Sequence, residues 1–333
     1  MGFWTERKVL VTGGTGLMGG WLVKQLLEAE ADVVLLVRDQ SPKSMIVRDG
    51  SIKRCTIVAG SLADASTLRR ALLEHEVDTV FHLAAQPIVG VAKLDPVGTL
   101  EANVQGTWNV LEAARHSRVA QIVVASSDKA YGSAEKLPYD ESFPLQGRYP
   151  YDCSKSCADL ITTMYAATYQ LPVCTVRCAN LFGGGDLNFN RVIPGAIQAG
   201  LRGERFVIRS DGKFIRDFLY VKDAALGYLL VAEKLAADRE LIGEAFNLSL
   251  EVRLNVIELV ERVNRLLGRP DLEPVILNQA SAEIREQYMI SDKSRRVLGW
   301  KPAYPLEEGL RETLDWYREF LAPSIERFCR ATA

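Results

Sequence analysis

Tyr151 and Lys155 stand four residues apart in the segment YPYDCSKS. On a helix that spacing puts both side chains on one face. An ammonium beside a phenol favours the ionised form, so the pair predicts a Tyr151 pKa drawn from about 10 toward neutrality. Such a phenolate takes the proton of a sugar or alcohol hydroxyl, while a nicotinamide accepts the hydride. A second cluster follows the run QIVVAS, in Ser126-Ser127-Asp128-Lys129-Ala130-Tyr131-Gly132. Ser127 is placed to hydrogen-bond the same substrate hydroxyl. Asp128 and Lys129 are an acid and a base side by side. On a solvent-facing turn they would be a surface ion pair; at a substrate face they would be a general acid and a general base.

The nicotinamide needs a holder, and VTGGTGLMGG supplies a candidate. Gly13, Gly16 and Gly19, with Leu17 and Met18 between them, lie between a strand pattern and a helix pattern. Glycine there allows a tight turn, close approach of pyrophosphate to the backbone, and close helix packing. The second strand, VVLLV, ends in Arg38-Asp39. A carboxylate at that point bonds the ribose 2′-hydroxyl of NAD, whereas arginine accepts the 2′-phosphate of NADP. Arginine comes first, which leans toward NADP, with NAD retained. Ser61-Leu62 after the third strand could edge the adenine. Leu83-Ala84-Ala85 after the fourth are small enough for close approach to the cofactor, and His82 beside them is expected to pack rather than catalyse.

These residues require a scaffold that brings strand ends together. KVLVTG, VVLLV, CTIVAG, TVFHLAA, QIVVAS and VCTVRCAN read as strands, alternating with helix patterns such as STLRRALLEH and SKSCADLITTMYAATYQ. That alternation predicts an α/β fold, a doubly wound parallel sheet of Rossmann type. Sites on such sheets gather at the carboxyl ends of the strands. Past residue 180 the rhythm breaks, so the expected division is a dinucleotide-binding domain over 1–180, with some later segments returning to it. Residues 181–333 would then be mainly a smaller substrate-binding lobe.

Composition narrows the partners. Forty basic and 42 acidic residues give a net charge of −2 without a polybasic run, which speaks against nucleic acid and anionic membranes. No apolar run is as long as a membrane span, and strand pattern begins almost at the N-terminus, so a cytoplasmic protein is expected. The six cysteines (Cys55, Cys153, Cys157, Cys174, Cys178 and Cys329) contain no CxxC, and histidines occur only at 75, 82 and 116. Reduced cysteines and no metal site are expected.

Taken together, TGxxGxxG, HLAA, NVQGTWNVLEA, the serine pair, YxxxK and RDFLYVKD resemble the extended short-chain dehydrogenase/reductases that act on nucleotide sugars, the epimerase/dehydratase group. HLAAQP, SSDKAY, GGGDLNFNRVIP and LGWKP are most similar to its CDP-glucose 4,6-dehydratase branch. The resemblance implies that Tyr151 takes the 4-hydroxyl proton during transient oxidation, while Lys155 orients the nicotinamide ribose and Ser127 bonds the 4-oxygen. It gives Lys129 the position of the base at C5 and Asp128 that of the acid at the departing 6-hydroxyl; hydride then returns to C6. Gln86, Asn180, Arg191 and Arg216 become substrate contacts, with Arg216 on the pyrophosphate. A homodimer is implied as well. Against the family pattern, Gly14, Met18 and Ser61 depart, and AYGSAEKLPYDESFP ends its first turn in the Tyr-Gly of epimerases. An epimerase would use the same Tyr151, Lys155 and Ser127 and return hydride to C4. A third reading, a nucleotide-binding protein without catalysis, predicts a broken Tyr-Lys pair or glycine loop, and both are intact.

Overall fold

The computed structural model describes residues 2–279 and 284–332, and side chains from 323 onward are outside the described set. The strands are β1 (Lys8–Thr12), β2 (Asp32–Val37), β3 (Thr56–Ala59), β4 (Thr79–His82), β5 (Gln121–Ala125), β6 (Val173–Cys178), β7 (Asn180–Phe182), β8 (Val207–Ile208), β9 (Ile215–Arg216), β10 (Phe218–Tyr220), β11 (Ala245–Leu248), β12 (Leu254–Asn255), β13 (Val275–Ile276) and β14 (Glu286–Gln287). The helices are α1 (Leu17–Glu28), α2 (Met45–Arg48), α3 (Ala65–Glu74), α4 (Val89–Leu94), α5 (Pro96–Leu100), α6 (Gly106–Ser117), α7 (Pro150–Tyr169), α8 (Val192–Leu201), α9 (Val221–Ala237), α10 (Val256–Leu266) and α11 (Leu306–Thr332).

Seven parallel strands form one sheet in the order β11-β6-β5-β4-β1-β2-β3. The direction of winding reverses between β1 and β4, so the loops after these two strands splay apart and leave a crevice. The strands read as unbroken apolar runs because both faces are covered. On β1, Val9 and Val11 enter a core shared with α1 and α9, whereas Leu10 between them enters the opposite core, under α3, α6 and α7. All three are fully buried, each contributing about 2 kcal/mol through removal of apolar surface from water. This is the doubly wound Rossmann-type sheet that the strand and helix patterns predicted.

The second half of the chain contributes both to the sheet and to a separate cluster. β11 hydrogen-bonds to β6, and α9 packs on α1. A third apolar core unites α8, α10 and α11 through Ile193, Ile197, Leu259, Val263, Leu310 and Tyr317. β9 carries β12 antiparallel on one side and β14 parallel on the other. Through β14 and the Tyr139–Met289 bridge, the segment 286–290 is tied both to this lobe and to the chain that follows β5. That tie brings distant residues to the catalytic strand end.

Candidate active site

Gly13 turns out of β1 with φ +76°, and a Cβ there would lie 2.7 Å from the amide nitrogen of Ala84. The two strand ends therefore meet backbone to backbone, which only glycine permits. A Cβ on Gly19 would fall 2.1 Å from the Gly13 carbonyl oxygen, so α1 is pressed directly on the turn. Gly16 precedes α1 in extended conformation and no side chain caps the helix. Leu17 and Met18 open α1, and amides of its first turn face outward toward an anion. The cradle fits the pyrophosphate of a dinucleotide.

A hydrogen-bonded chain fixes the end of β4. Thr107 Oγ1 donates to the Asn103 carbonyl at 2.6 Å, so toward His82 Nε2, 3.2 Å away, it can only accept. His82 therefore carries its proton on Nε2. Its Nδ1 then accepts from Thr12 Oγ1 at 2.8 Å, and Thr12 accepts in turn from the Ala84 amide at 3.2 Å. Burial pulls the His82 pKa down to about 3, aided by the charge of Lys155, which keeps the ring neutral. His82 thus anchors Leu83, Ala84 and Ala85 and has no free nitrogen for catalysis.

The adenosine side is more open. Arg38 follows β2 and pairs with Asp39 at 2.6 Å, both about three-quarters exposed. Ser61 closes its own turn by accepting the Ala63 amide, and the Leu62 carbonyl accepts from Asn109 Nδ2 at 2.8 Å.

At the carboxyl end of β5, Ser127 Oγ accepts the Lys129 amide at 3.2 Å and donates to Asp128 Oδ1 at 2.9 Å. Asp128 is buried, and its Oδ2 has no partner among the described residues. Burial raises the Asp128 pKa above the usual carboxylate range, against Lys129, Ser127 and Arg216, which lower it. Asp128 and Lys129 are therefore not a solvated ion pair. Lys129 Nζ instead donates to Gln287 Oε1 at 2.7 Å.

Tyr151 and Lys155 lie in the first turns of α7, both buried. The predicted fall in the Tyr151 pKa is corrected by the structure. Burial pushes the phenol up to about 12; Arg191 and the interaction with Ser127 oppose the rise, and Asp128 adds to it. The Lys155 Nζ donates to the Ala125 carbonyl at 2.7 Å. Burial also pulls Lys155 itself down to about 8, partly offset by Asp159.

The remaining expected contacts divide. Arg191, at the start of α8, is held by Asp186 at 3.0 Å and acts electrostatically on Tyr151. Arg216 bonds the Ile215 carbonyl at 2.9 Å and its charge reaches Asp128. Asn180 Nδ2 donates to the Asp217 carbonyl at 3.0 Å. Gln86 is occupied locally, its Oε1 accepting the Ile88 amide at 3.0 Å.

Three further residues were not singled out from the sequence. Asn103, on a π-helical turn between α5 and α6, is buried; its Oδ1 accepts the Gln86 amide at 2.6 Å, and its Nδ2 donates to Ser154 Oγ at 2.8 Å. It lies in the recognisable run NVQGTW. Asp217 follows Arg216 in RDF and is fully buried, with burial raising its pKa to about 7. Gln287 had no sequence signal at all.

A profile described as the NAD dependent epimerase/dehydratase family matches residues 9–249. The chain belongs to that family. It is an NAD(P)-dependent enzyme of the extended short-chain dehydrogenase/reductase type, a dehydratase or an epimerase. It is 29% identical to the CDP-glucose 4,6-dehydratase of Salmonella typhimurium, over 96% of this chain and 92% of the relative. Among solved structures it resembles the UDP-glucose 4-epimerase of Thermotoga maritima with UDP-glucose (TM-score 0.86, 27% identity, 94% of this chain and 99% of the other). It also resembles the dTDP-glucose 4,6-dehydratase of Bacillus anthracis in complex with NAD (TM-score 0.84, 26% identity, 95% and 98%).

Within this family setting, the epimerase-like Tyr131-Gly132 pair has a packing explanation. Tyr131 is buried, its hydroxyl donating to Asn247 at 2.7 Å and accepting from Arg177 at 2.9 Å, and Arg177 is paired with Asp159. A Cβ on Gly132, at φ +71°, would strike the Gln146 carbonyl at 2.2 Å. Cys55, Cys153, Cys157, Cys174 and Cys178 are free thiols, and the Cys329 side chain lies outside the described residues. Among the described residues no metal-binding group is found, and no helix is long and apolar enough to cross a membrane.

Proposed function

We propose that this enzyme is a nucleotide-sugar 4,6-dehydratase. The observation that carries the reading is the pair at the end of β5. Asp128 is a buried carboxyl shifted toward its protonated form, and the Lys129 amine is bonded to Gln287. An epimerase that only moves hydride between faces of C4 has no use for a second acid and base. Dehydration needs both, one to take the C5 proton and one to protonate the departing 6-oxygen.

A dinucleotide cradled by Gly13, Gly16 and Gly19 would supply hydride acceptance from C4 and hydride return at C6. Tyr151, with Ser127 beside it, bonds the 4-hydroxyl and, as the phenolate that Arg191 and Ser127 favour, receives its proton. Lys155, fixed by the Ala125 carbonyl, stays on the cofactor side of α7 and orients the ribose. Once C4 is a ketone, the C5 proton is acidic and Lys129, as the free amine, removes it. Asp128 gives its proton to the 6-hydroxyl, which leaves as water, and when hydride reaches C6 the Lys129 ammonium returns its proton to C5. Arg216 and Arg191 suit the diphosphate, and Asn180 the sugar. Arg38 supports acceptance of a 2′-phosphate by the cofactor site.

Dimerisation belongs to the same reading. Leu94, Val97, Trp108, Leu160, Met164 and Tyr169, on α4 to α7, are exposed apolar side chains on one flank of the sheet. A second copy covering them predicts a dimer in sedimentation and a monomer in Trp108→Glu/Met164→Glu.

The deciding experiment is mass spectrometry of wild-type enzyme incubated with CDP-, GDP- and UDP-hexoses. Loss of water with formation of a 4-keto-6-deoxy sugar is expected, and Lys129→Ala should lose it while still oxidising C4. Isomers alone would make the enzyme an epimerase, and unchanged sugars with every nucleotide would favour the non-catalytic reading.

A further inference from the structure

Gln287 lies 158 residues from Lys129 in sequence, yet its Oε1 is 2.7 Å from the Lys129 Nζ. An ammonium has only protons to give, so the amide must turn its oxygen to the lysine. Its Nε2 is thereby committed to the opposite side, where it is buried with no partner among the described residues. Gln287 itself is fully buried. A buried donor left without an acceptor costs about 1–3 kcal/mol, which is tolerated where a ligand completes the bond. Two other buried oxygens without described partners belong to the same neighbourhood: Asp128 Oδ2 and Asp217 Oδ1. The neighbourhood is shared, since Asp128 acts electrostatically on both Lys129 and Asp217. The backbone of Gln287 is not loose either, because β14 pairs with β9 in a register that sets Gln287 opposite Arg216.

We infer that Gln287 is a positioning residue for the elimination step: its amide oxygen aims the Lys129 nitrogen at the sugar's C5, and its amide NH₂ faces the substrate's polar groups. The inference rests on the dehydratase reading for the step concerned, but the contact between Gln287 and Lys129 does not. A neutral amide suits the task. It orients the amine without adding a charge, whereas a carboxylate in its place would hold the ammonium protonated to higher pH. The charged groups that already face Lys129 are Asp128 on its own turn and Asp152 on α7. Arg216 on β9 acts on Asp128, and Asp128 acts in turn on Asp217 beyond β9.

The test uses two variants, Gln287→Leu and the near-isosteric Gln287→Glu, with three readouts. These are C4 oxidation (reduced-cofactor absorbance), exchange of the C5 proton in D₂O together with water loss, and NMR titration of the Lys129 amine. In Gln287→Leu, C5 exchange and the kcat for water loss should fall about 10²-fold, the scale expected when a reacting group is misplaced by about 1 Å. C4 oxidation should stay within a few-fold. In Gln287→Glu, the acid limb of the C5 exchange profile and the Lys129 titration should both move to higher pH. Wild-type exchange rates and an unmoved Lys129 titration in both variants would overturn the inference. So would an equal loss of C4 oxidation and C5 exchange, which marks a merely structural residue. If wild type itself forms only isomers, the dehydratase reading fails. A Lys129 titration that still moves in Gln287→Glu would then uphold the contact, and one that does not would overturn it separately.

Discussion

Replacing Asp217 by asparagine should change the stability of the protein by an amount that depends on pH. Asp217 is wholly buried; Ser249 Oγ donates to one carboxyl oxygen, and the other has no partner among the described residues. Burial lifts its pKa to about 7; the Ser249 bond opposes the rise and Asp128 adds to it. In the unfolded chain the value is about 3.9. The native state therefore holds a proton that the unfolded state has released between about pH 4 and pH 7. In that window stability falls as pH rises, by about 1.4 kcal/mol per pH unit and about 4 kcal/mol in all. Asparagine does not titrate. Its buried NH₂ would carry a constant cost of about 1–3 kcal/mol, so the variant should be less stable than wild type at acid pH. Between pH 5 and pH 8 the difference should swing by about 3 kcal/mol in favour of the variant. Urea unfolding midpoints and slopes at the two pH values measure it. A difference that is the same at both would refute the assignment of Asp217 as a proton-bearing carboxyl.

Tyr151→Phe keeps the ring and removes the proton acceptor, so cofactor reduction at C4 should fall by about 10²–10⁴-fold with the unfolding midpoint unchanged; wild-type turnover would contradict the role given to Tyr151. Gly19→Ala puts a Cβ 2.1 Å from the Gly13 oxygen, so the turn must move. The variant should lose about 1–3 kcal/mol of stability and weaken dinucleotide binding, read by thermal melting and by fluorescence titration. Arg38→Ala should weaken NADP binding about 10-fold while leaving NAD binding nearly unchanged. The Arg38–Asp39 pair that must open for a phosphate is exposed and contributes at most about 1 kcal/mol. Equal losses for both dinucleotides in calorimetry would remove Arg38 from the 2′ position.

The parallel sheet was readable in the sequence because a strand buried on both faces is an uninterrupted apolar run, as in VLV of β1. The glycine loop was readable for a related reason. Gly13 and Gly19 are local requirements of a turn and a helix start, and local requirements leave local signatures. The hidden features are those made by distance. Gln287 reaches Lys129 from a two-residue strand that exists only because Arg216 lies beside it. Asn103 owes its place to a π-helical turn in a run that otherwise reads as continuous helix. The ionisation of Tyr151 is not legible in the sequence because spacing gives a shared face but not a contact. Lys155 found the Ala125 carbonyl, and burial then governed the phenol.

Burial disfavours charge of either sign, so the same desolvation that hinders Tyr151 from ionising also raises the Asp128 pKa and makes the Lys155 ammonium easier to deprotonate. An oxidising base and an eliminating acid want opposite things from one environment. The site separates them through partners. Tyr151 has Arg191 and Ser127 pulling it toward its anion, whereas Asp128 has a second buried carboxyl, Asp217, whose own ionisation Asp128 disfavours. Two carboxyls that disfavour each other's ionisation retain a proton between them to higher pH than either would alone. Asp217→Asn should therefore also move the alkaline limit of water loss to lower pH while leaving the pH dependence of C4 oxidation in place. A shift of both limits together would mean that Asp217 acts on the whole pocket rather than on Asp128.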